Sequence, residues 1–254
     1  MKSNAFDYAR PKDVESALSL LSRENAKAMA GSQSLGPMLN LRVVQPQLLV
    51  DLRSIPELRE FADNREHVSL GACVTHSQIE DGKVPDPTGG FMREVASNIA
   101  YRAVRNRGTL GGSLAHADPA ADWPSALTLL GATVVIAGPE GRRQMPVERF
   151  LKGFFETDLS AQELLVAVRI PKRSKAARYG YWKFCRKAGE FPQAIGGALR
   201  DPERNEARTV VGATGGAPRL FLGLDPDLSG IGTDAYGRQL HSVSLKRAIA
   251  KVIS

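Results

Sequence analysis

The chain has 254 residues, 43% hydrophobic and 24% charged, with a net charge of +7. That length and balance support a sizeable core in one large domain or two to three small lobes, and exclude a disordered tail, a collagen-like chain and a disulfide-dense mini-protein. Its two cysteines, Cys73 and Cys185, lie 112 positions apart with no metal-site spacing around them, so no metal is expected on this chain.

Pro11 opens a segment in which Val14, Ala17, Leu18 and Leu21 share one helical face. Ala26 to Ala30 reads as a short buried strand, broken by Gly31-Ser32-Gln33-Ser34. Pro37 to Arg42 reads as a helical turn and Leu48 to Leu52 as another strand. Phe91, Val95 and Ile99 mark one stripe of a helix predicted over 91–103, broken by the run from Arg105 to Ser113. Asp118 and Pro119 are the favoured cap and first residue of a helix reaching Leu130. Strands are expected over 132–137 and 163–170, the second stopped by Pro171. From Tyr179 the pattern is β, with 193–200 and 209–213 forming a hairpin around the polar turn Asp201 to Asn205. An amphipathic helix near 240–252 closes the chain. The class is α+β, with lobes over 1–55, 56–172 and 173–254, the last a three-stranded sheet plus a helix.

The longest uncharged stretch, Trp123 to Pro139, is too short and too interrupted by Pro and Gly for a membrane span. The N-terminus lacks the apolar run of a signal peptide, so a soluble, cytoplasmic protein is expected. Basic groups such as Arg102/Arg105/Arg107 and Lys172/Arg173/Lys175 have no stacking aromatics between them and no nucleic-acid motif nearby. Solvated basic faces are favoured over nucleic-acid binding; an anionic cofactor or an acidic partner would use the same charge.

Two glycine-bearing loops follow apolar runs and precede helix signals: Ala30-Gly31-Ser32-Gln33-Ser34-Leu35 and Thr109-Leu110-Gly111-Gly112-Ser113. Glycine lets backbone N–H groups converge on a ligand, so such loops suit phosphates, although tight turns use the same residues. One loop in each of two lobes, about 78 residues apart, suggests a diphosphate held between lobes. Neither is GxGxxG or a P-loop. His116 and Asp118 lack a nucleophile motif and read as a loop hydrogen-bonder and a helix cap, while His67 and His76 read as surface residues and His241 stands out in no way. Without hydrolase or metal motifs, an enzyme here would rely on a bound cofactor.

The first loop, with Leu41-Arg42 and Leu49-Val50-Asp51-Leu52, resembles the first FAD-binding segment of the molybdenum hydroxylases. The run Arg105-Asn106-Arg107-Gly108-Thr109-Leu110-Gly111-Gly112-Ser113-Leu114-Ala115-His116-Ala117-Asp118-Pro119-Ala120-Ala121-Asp122 resembles the second. Glu163-Leu164-Leu165, Ile170-Pro171 and Tyr181-Trp182-Lys183-Phe184 follow in the same order, and the likeness covers nearly the whole chain. It is to the FAD-binding (medium) subunits of the xanthine dehydrogenase and carbon monoxide dehydrogenase family.

The resemblance implies a vanillyl-alcohol-oxidase-like (PCMH-type) two-lobed FAD-binding domain plus a C-terminal lobe of the CO dehydrogenase flavoprotein type. It implies FAD contacts at Lys27, Ala28, Met29, Ala30, Gly31, Ser32, Gln33, Ser34 and Leu35, with amides of 31–34 on the diphosphate. Thr109, Gly111, Gly112, Ser113, Asp122, Leu165 and Lys183 complete the set. Ser32 stands where many members have a second glycine, which implies that the position does not demand positive φ. Ser113 replaces the usual Asn or Asp. Phe191 falls where some relatives place an aromatic beside the flavin ring, or else is a core aromatic. The implied role is electron transfer in a heterotrimer. An iron–sulfur small subunit with [2Fe–2S] clusters would take electrons from a molybdopterin large subunit, and FAD would pass them to NAD, a quinone or another acceptor. The alternatives are an FAD-free assembly subunit and a stand-alone FAD oxidoreductase.

Overall fold

The computed structural model describes residues 2–231 and 234–253. The first part comprises β1 (Asp7–Ala9), α1 (Val14–Leu21), β2 (Ala26–Met29), α2 (Leu35–Asn40) and β3 (Leu48–Asp51). Helix α1 starts where the Asp13 carboxylate accepts the Ser16 N–H at 2.7 Å, and it buries Val14, Ala17 and Leu21. The three strands pair in parallel, with β3 in the middle. All four residues of β3 are buried, which is why Leu48, Leu49 and Val50 read as a continuous apolar run rather than an alternation, with the buried Asp51 closing it.

The second part runs through β4 (Phe61–Asp63), β5 (His67–Gly71), α3 (His76–Glu80), α4 (Phe91–Ser97), α5 (Arg102–Arg105), α6 (Leu110–His116) and α7 (Asp122–Leu130). It continues with β6 (Thr133–Gly138), β7 (Gly141–Pro146), α8 (Val147–Phe150), β8 (Leu151–Gly153), β9 (Glu156–Thr157) and β10 (Leu164–Pro171). Five of these strands form an antiparallel sheet in the order β4-β5-β10-β6-β7. Alternation along β6 divides its side chains between two cores: Val134 and Ile136 join the helices, while Val135 and Ala137 pack against the first part. A bulge in β10 between Leu165 and Ala167 flips the parity, so Leu165 and Val168 both face the helices while Leu164 and Val166 face the other way.

Two predicted helices differ from those observed. The helix expected over 91–103 ends at Ser97 and resumes as α5. The Ser97 hydroxyl and Asn98 amide both donate to the Glu94 carbonyl at 2.8 Å, competing with the helical ladder. Arg105 then takes the carbonyls of Ile99 and Ala100. The helix expected from Pro119 begins three residues later: the Asp118 carboxylate accepts from Ala120 N at 2.9 Å, a local turn, and Ala121 becomes the cap. Every residue of α7 is buried.

The last part holds an antiparallel sheet of β11 (Arg178–Phe184), β12 (Ala194–Asp201), β13 (Glu206–Gly212) and β14 (Arg219–Leu222), covered by α9 (Ala235–Ile253). It has four strands rather than the expected three. The short edge strand β14, Arg219-Leu220-Phe221-Leu222, carries no alternating pattern and ends on an exposed Leu222. Lys251 of α9 pairs with Glu94 of α4 at 2.8 Å and donates to the Tyr181 carbonyl at 3.2 Å. Among the described residues no helix is long and apolar enough to cross a membrane.

Asp51 closes the central strand β3. Its buried carboxylate accepts from Arg53 Nε at 2.9 Å, Arg53 Nη2 at 2.8 Å, Arg53 N at 3.0 Å and the Tyr8 hydroxyl. Burial pushes this acid upward, but the Arg53 side chain, Tyr8 and the Arg53 N–H outweigh it and hold it at about 2 against an ordinary 3.8. The carboxylate therefore stabilises the fold above pH 3.8, and that contribution is lost as pH falls toward about 2. Asp51→Asn is expected to lower unfolding free energy at neutral pH by about 1–3 kcal/mol. It also flattens the acid limb of the stability profile, read by urea denaturation across pH.

Candidate functional site

Strand β2 runs parallel to β3 and carries Lys27, Ala28 and Met29, then releases Ala30 to Ser34 at the C-terminal end of the sheet before Leu35 opens α2. Ser32 has a φ of 61°, in the left-handed region. This corrects the expectation that a serine here signals relaxed backbone: the turn keeps the conformation suited to glycine, at a cost of about 1–2 kcal/mol. The Gly31 carbonyl accepts from Gln33 Nε2 at 3.1 Å, the Ser32 carbonyl from Gly36 N at 3.0 Å and the Ser34 carbonyl from Met38 N at 3.1 Å. Among the described residues the amides of Gly31, Ser32, Gln33 and Ser34 have no acceptor. Satisfied carbonyls beside four consecutive free amides around a left-handed residue make a nest for an anion.

The second motif works differently from the first. Its amides are already used: Leu110 N donates to Val74 O at 2.9 Å, Gly111 N to Ala72 O at 2.9 Å, and Ser113 N to Thr109 O at 3.0 Å. Gly112 N donates to Thr109 Oγ1 at 3.1 Å, so Thr109 caps α6 and Gly111, Gly112 and Ser113 form its first turn. The amides of the second loop are thus bonded within the protein, and its glycines serve close packing. A Cβ on Gly111 would stand 2.5 Å from Ala72 Cβ, and one on Gly112 would stand 2.7 Å from Thr109 Oγ1.

The motifs meet through bare backbone. A Cβ on Gly31 would lie 2.1 Å from the Arg107 carbonyl oxygen and 2.8 Å from Gly108 Cα, and one on Gly112 would lie 4.0 Å from Ala30 Cβ. Behind this junction sits His76, expected at the surface but 6% exposed. Its N–H donates to the Gly108 carbonyl at 2.9 Å, and its Nδ1 accepts from Trp123 Nε1 at 3.0 Å. Burial, and then Arg105, push the imidazole down to about 4 from an ordinary 6.5, so it is neutral at neutral pH. The Thr75–Gln78 capping box that opens α3 was a visible signal for a helix start one residue before His76.

Asp122 and Lys183 come together as an ion pair across α7 and β11. Lys183 Nζ lies 3.0 and 2.9 Å from the Asp122 carboxylate oxygens and 2.8 Å from the Asn98 carbonyl, and the Tyr181 hydroxyl donates to Asp122 at 3.0 Å. Burial raises the Asp122 acid, opposed by Lys183 and by Tyr181. Leu165 is buried in the main core that also holds Leu110 and Leu114. His116 ends α6 with its ring tilted against that of Phe155, centroids 4.8 Å apart, and His241 is buried within α9. Phe191 is 65% exposed, so it is not a core aromatic. Its loop is tied instead by Tyr101, whose hydroxyl donates to the Ala188 carbonyl at 3.2 Å.

A layered α+β scaffold that presents an anion nest against a close backbone junction defines a binding domain for an anionic cofactor. The family profile described as the FAD binding domain in molybdopterin dehydrogenase matches residues 4–173. The chain is 33% identical over 242 residues to the caffeine dehydrogenase subunit beta of Pseudomonas sp. (strain CBB1), which covers 92% of this chain and 82% of that one. It is 36% identical over 191 residues to the carbon monoxide dehydrogenase medium chain of Hydrogenophaga pseudoflava, covering 74% and 67% of the two chains. The solved carbon monoxide dehydrogenase of that organism superposes with a TM-score of 0.90 at 28% identity, over 100% of this chain and 99% of that one. Quinoline 2-oxidoreductase of Pseudomonas putida 86 superposes with a TM-score of 0.86 at 30% identity, covering 100% of both.

This chain belongs to the FAD-binding domain family of the molybdopterin dehydrogenases. It is an FAD-binding subunit of an oxidoreductase, and the expected α+β fold, with its C-terminal lobe of the CO dehydrogenase flavoprotein type, is the fold observed. The nest fits that cofactor, because a diphosphate needs several N–H donors at once and little added charge. Gly31→Ala is expected to drive the two motifs apart and to weaken FAD binding at least about tenfold, a loss of about 1.4 kcal/mol. Titration of the FAD-stripped chain with FAD, followed by flavin fluorescence, measures it.

Proposed function

We propose that the chain is the electron-transfer subunit of a heterotrimeric molybdenum hydroxylase, in which an iron–sulfur small subunit relays electrons from a molybdopterin large subunit. Bound FAD supplies chemistry that accepts electrons one at a time and releases them singly or in pairs. The final acceptor is external: NAD, a quinone or another carrier. Caffeine dehydrogenase, nicotine 6-hydroxylase and carbon monoxide dehydrogenase each have a subunit similar to this chain. The diversity of those three names is consistent with a substrate pocket that lies on another polypeptide.

In this reading the amides of Gly31 to Ser34 hold the diphosphate, aided by the hydroxyls of Ser32, Ser34, Thr109 and Ser113. Lys27 to Ala30 and Leu35 flank it, Gly111 and Gly112 let α6 approach, and Leu165 and the Asp122–Lys183 pair bound the rest of the site. In the same reading the three-, five- and four-stranded sheets mark lobes 1–55, 56–172 and 173–254, with the two-stranded β8–β9 pair in the second, and the third lobe closes the site through Lys183. The carrying observation is the nest, which binds without chemistry of its own. The site's buried carboxylate, Asp122, is engaged by Lys183 and Tyr181, an arrangement suited to holding a cofactor rather than to taking protons from a substrate. We place the complex in the cytoplasm, where the free thiols Cys73 and Cys185 stay reduced.

Co-expression of the chain with its two partner subunits tests this. The expected result is a complex with about one FAD per chain and iron–sulfur absorption, whose flavin bands are bleached by the large subunit's substrate only when all subunits are present. A colourless chain that still binds its partners would establish an assembly subunit instead. Substrate reduction of the isolated chain would establish a stand-alone oxidoreductase.

A further inference from the structure

His76 and Trp123 belong to none of the residues assigned to cofactor contact, yet they stand directly behind the place where the two motifs touch. Trp123 is fully buried in α7, next to Asp122. Its indole N–H can only donate, so the His76 Nδ1 that receives it at 3.0 Å carries no proton. The other edge of the ring lies against Gly108: a Cβ there would be 2.7 Å from His76 Nε2. His76 also grips this turn through its backbone N–H to the Gly108 carbonyl, and Thr75 bridges Thr109 beside it. Gly108 in turn touches Gly31, where a Cβ would stand 2.8 Å from Gly108 Cα, leaving no room for a methyl group. A contiguous stack therefore runs from Trp123 through His76 and Gly108 to Gly31, the first residue of the nest.

We propose that the Trp123–His76 pair is a positioning device for the cofactor, setting the seat of Gly31 through Gly108, and that protonation of His76 releases FAD on acidification. The inference rests on the reading that seats FAD at Gly31 to Ser34. An imidazolium carries N–H on both nitrogens, so its Nδ1–H would point at the Trp123 N–H, donor against donor. The ring must then turn or withdraw, and either movement disturbs Gly108.

Burial and then the charge of Arg105 oppose protonation of the ring. Arg105 of α5 approaches it, held in place by Glu80 of α3 at 2.8 and 2.9 Å. Glu80 also takes Arg102 at 2.8 Å. Among the described residues no carboxylate bonds the imidazole. Burial adds to the effect of Arg105, and the two together bring the group down to about 4. The sign follows: the neutral ring contributes fully above pH 6.5, and its contribution is lost as pH falls toward about 4.

The test is acid titration of the full FAD-loaded chain, with flavin fluorescence reporting release and far-UV circular dichroism reporting unfolding. The wild-type chain should release FAD between pH 6.5 and about 4, ahead of unfolding. Trp123→Phe removes the opposing N–H, so protonation no longer sets donor against donor and the release midpoint should move down by about one pH unit. Loss of the bond that holds the ring against Gly108 should lower FAD affinity at neutral pH about tenfold. His76→Gln keeps an acceptor for Trp123 and has no proton to gain, so it should retain FAD and lose the acid release step. The proposal is overturned if both variants shift the melting temperature alone and leave the release midpoint at the wild-type pH. If the variants do not fold, wild-type release that coincides with unfolding overturns it as well, and release ahead of unfolding supports it. Gly31→Ala separates the two readings. Normal FAD affinity in that variant would overturn the proposed seat itself; loss of FAD there, with an unmoved Trp123→Phe midpoint, would overturn only the positioning role.

Discussion

The contact between Gly31 and the Arg107–Gly108 backbone is the constraint on which the rest of the site depends. The loop after β2 and the turn between α5 and α6 approach until a single methyl group would stand 2.1 Å from a carbonyl oxygen. Such proximity cannot be produced by either loop alone. It requires the first sheet to be pressed onto the five-stranded sheet by the apolar faces of β6 and β10, and it requires α3, α6 and α7 to hold the second motif from behind. The packing sets the distance, and the distance decides where four unpaired amides stand.

Hydrogen bonding is divided unequally between the two motifs. The first satisfies its carbonyls locally through Gln33, Gly36 and Met38 and leaves its amides for a ligand. The second commits its amides to Ala72, Val74 and Thr109 and so becomes rigid. A nest that closes against a fixed wall loses less conformational freedom on binding than two mobile loops would. The C-terminal lobe joins this framework through side chains rather than through a shared sheet: Lys183 reaches Asp122 and Asn98, Tyr181 reaches Asp122, and Lys251 reaches Glu94.

Much of this was legible in the sequence where the signal was local. The buried run of β3, the β12–β13 hairpin around Asp201 to Asn205 and the two glycine motifs all follow from short patterns. What escaped were features set by distant contacts. Residues 91–103 carry a helical stripe, yet Ser97, Asn98 and Arg105 divide the helix by taking its carbonyls. Ser32 looks like an ordinary serine, and only the finished turn shows that it bears a positive φ. His76 stands between the polar Thr75 and Ser77, and the partner that buries its ring, Trp123, lies 47 positions away. The polar edge strand β7 carries too little apolar surface to register as a strand, and β14, only four residues long, is too short to show a period.

The bulge in β10 bears on how this family can change over time. Because it inserts one residue at Val166, the side chain facing the helices is odd-numbered before the bulge, at Leu165, and even-numbered after it, at Val168 and Ile170. Point substitutions among Leu164, Leu165, Val168 and Ile170 exchange one apolar shape for another and leave the phase intact. A deletion of a single codon here would instead turn every later side chain of the strand to the wrong face, exposing one core to the contents of the other. Residue identity in β10 is thus free to drift while its length is not, and alignments of descendants should show a strand varied in composition and unbroken by gaps.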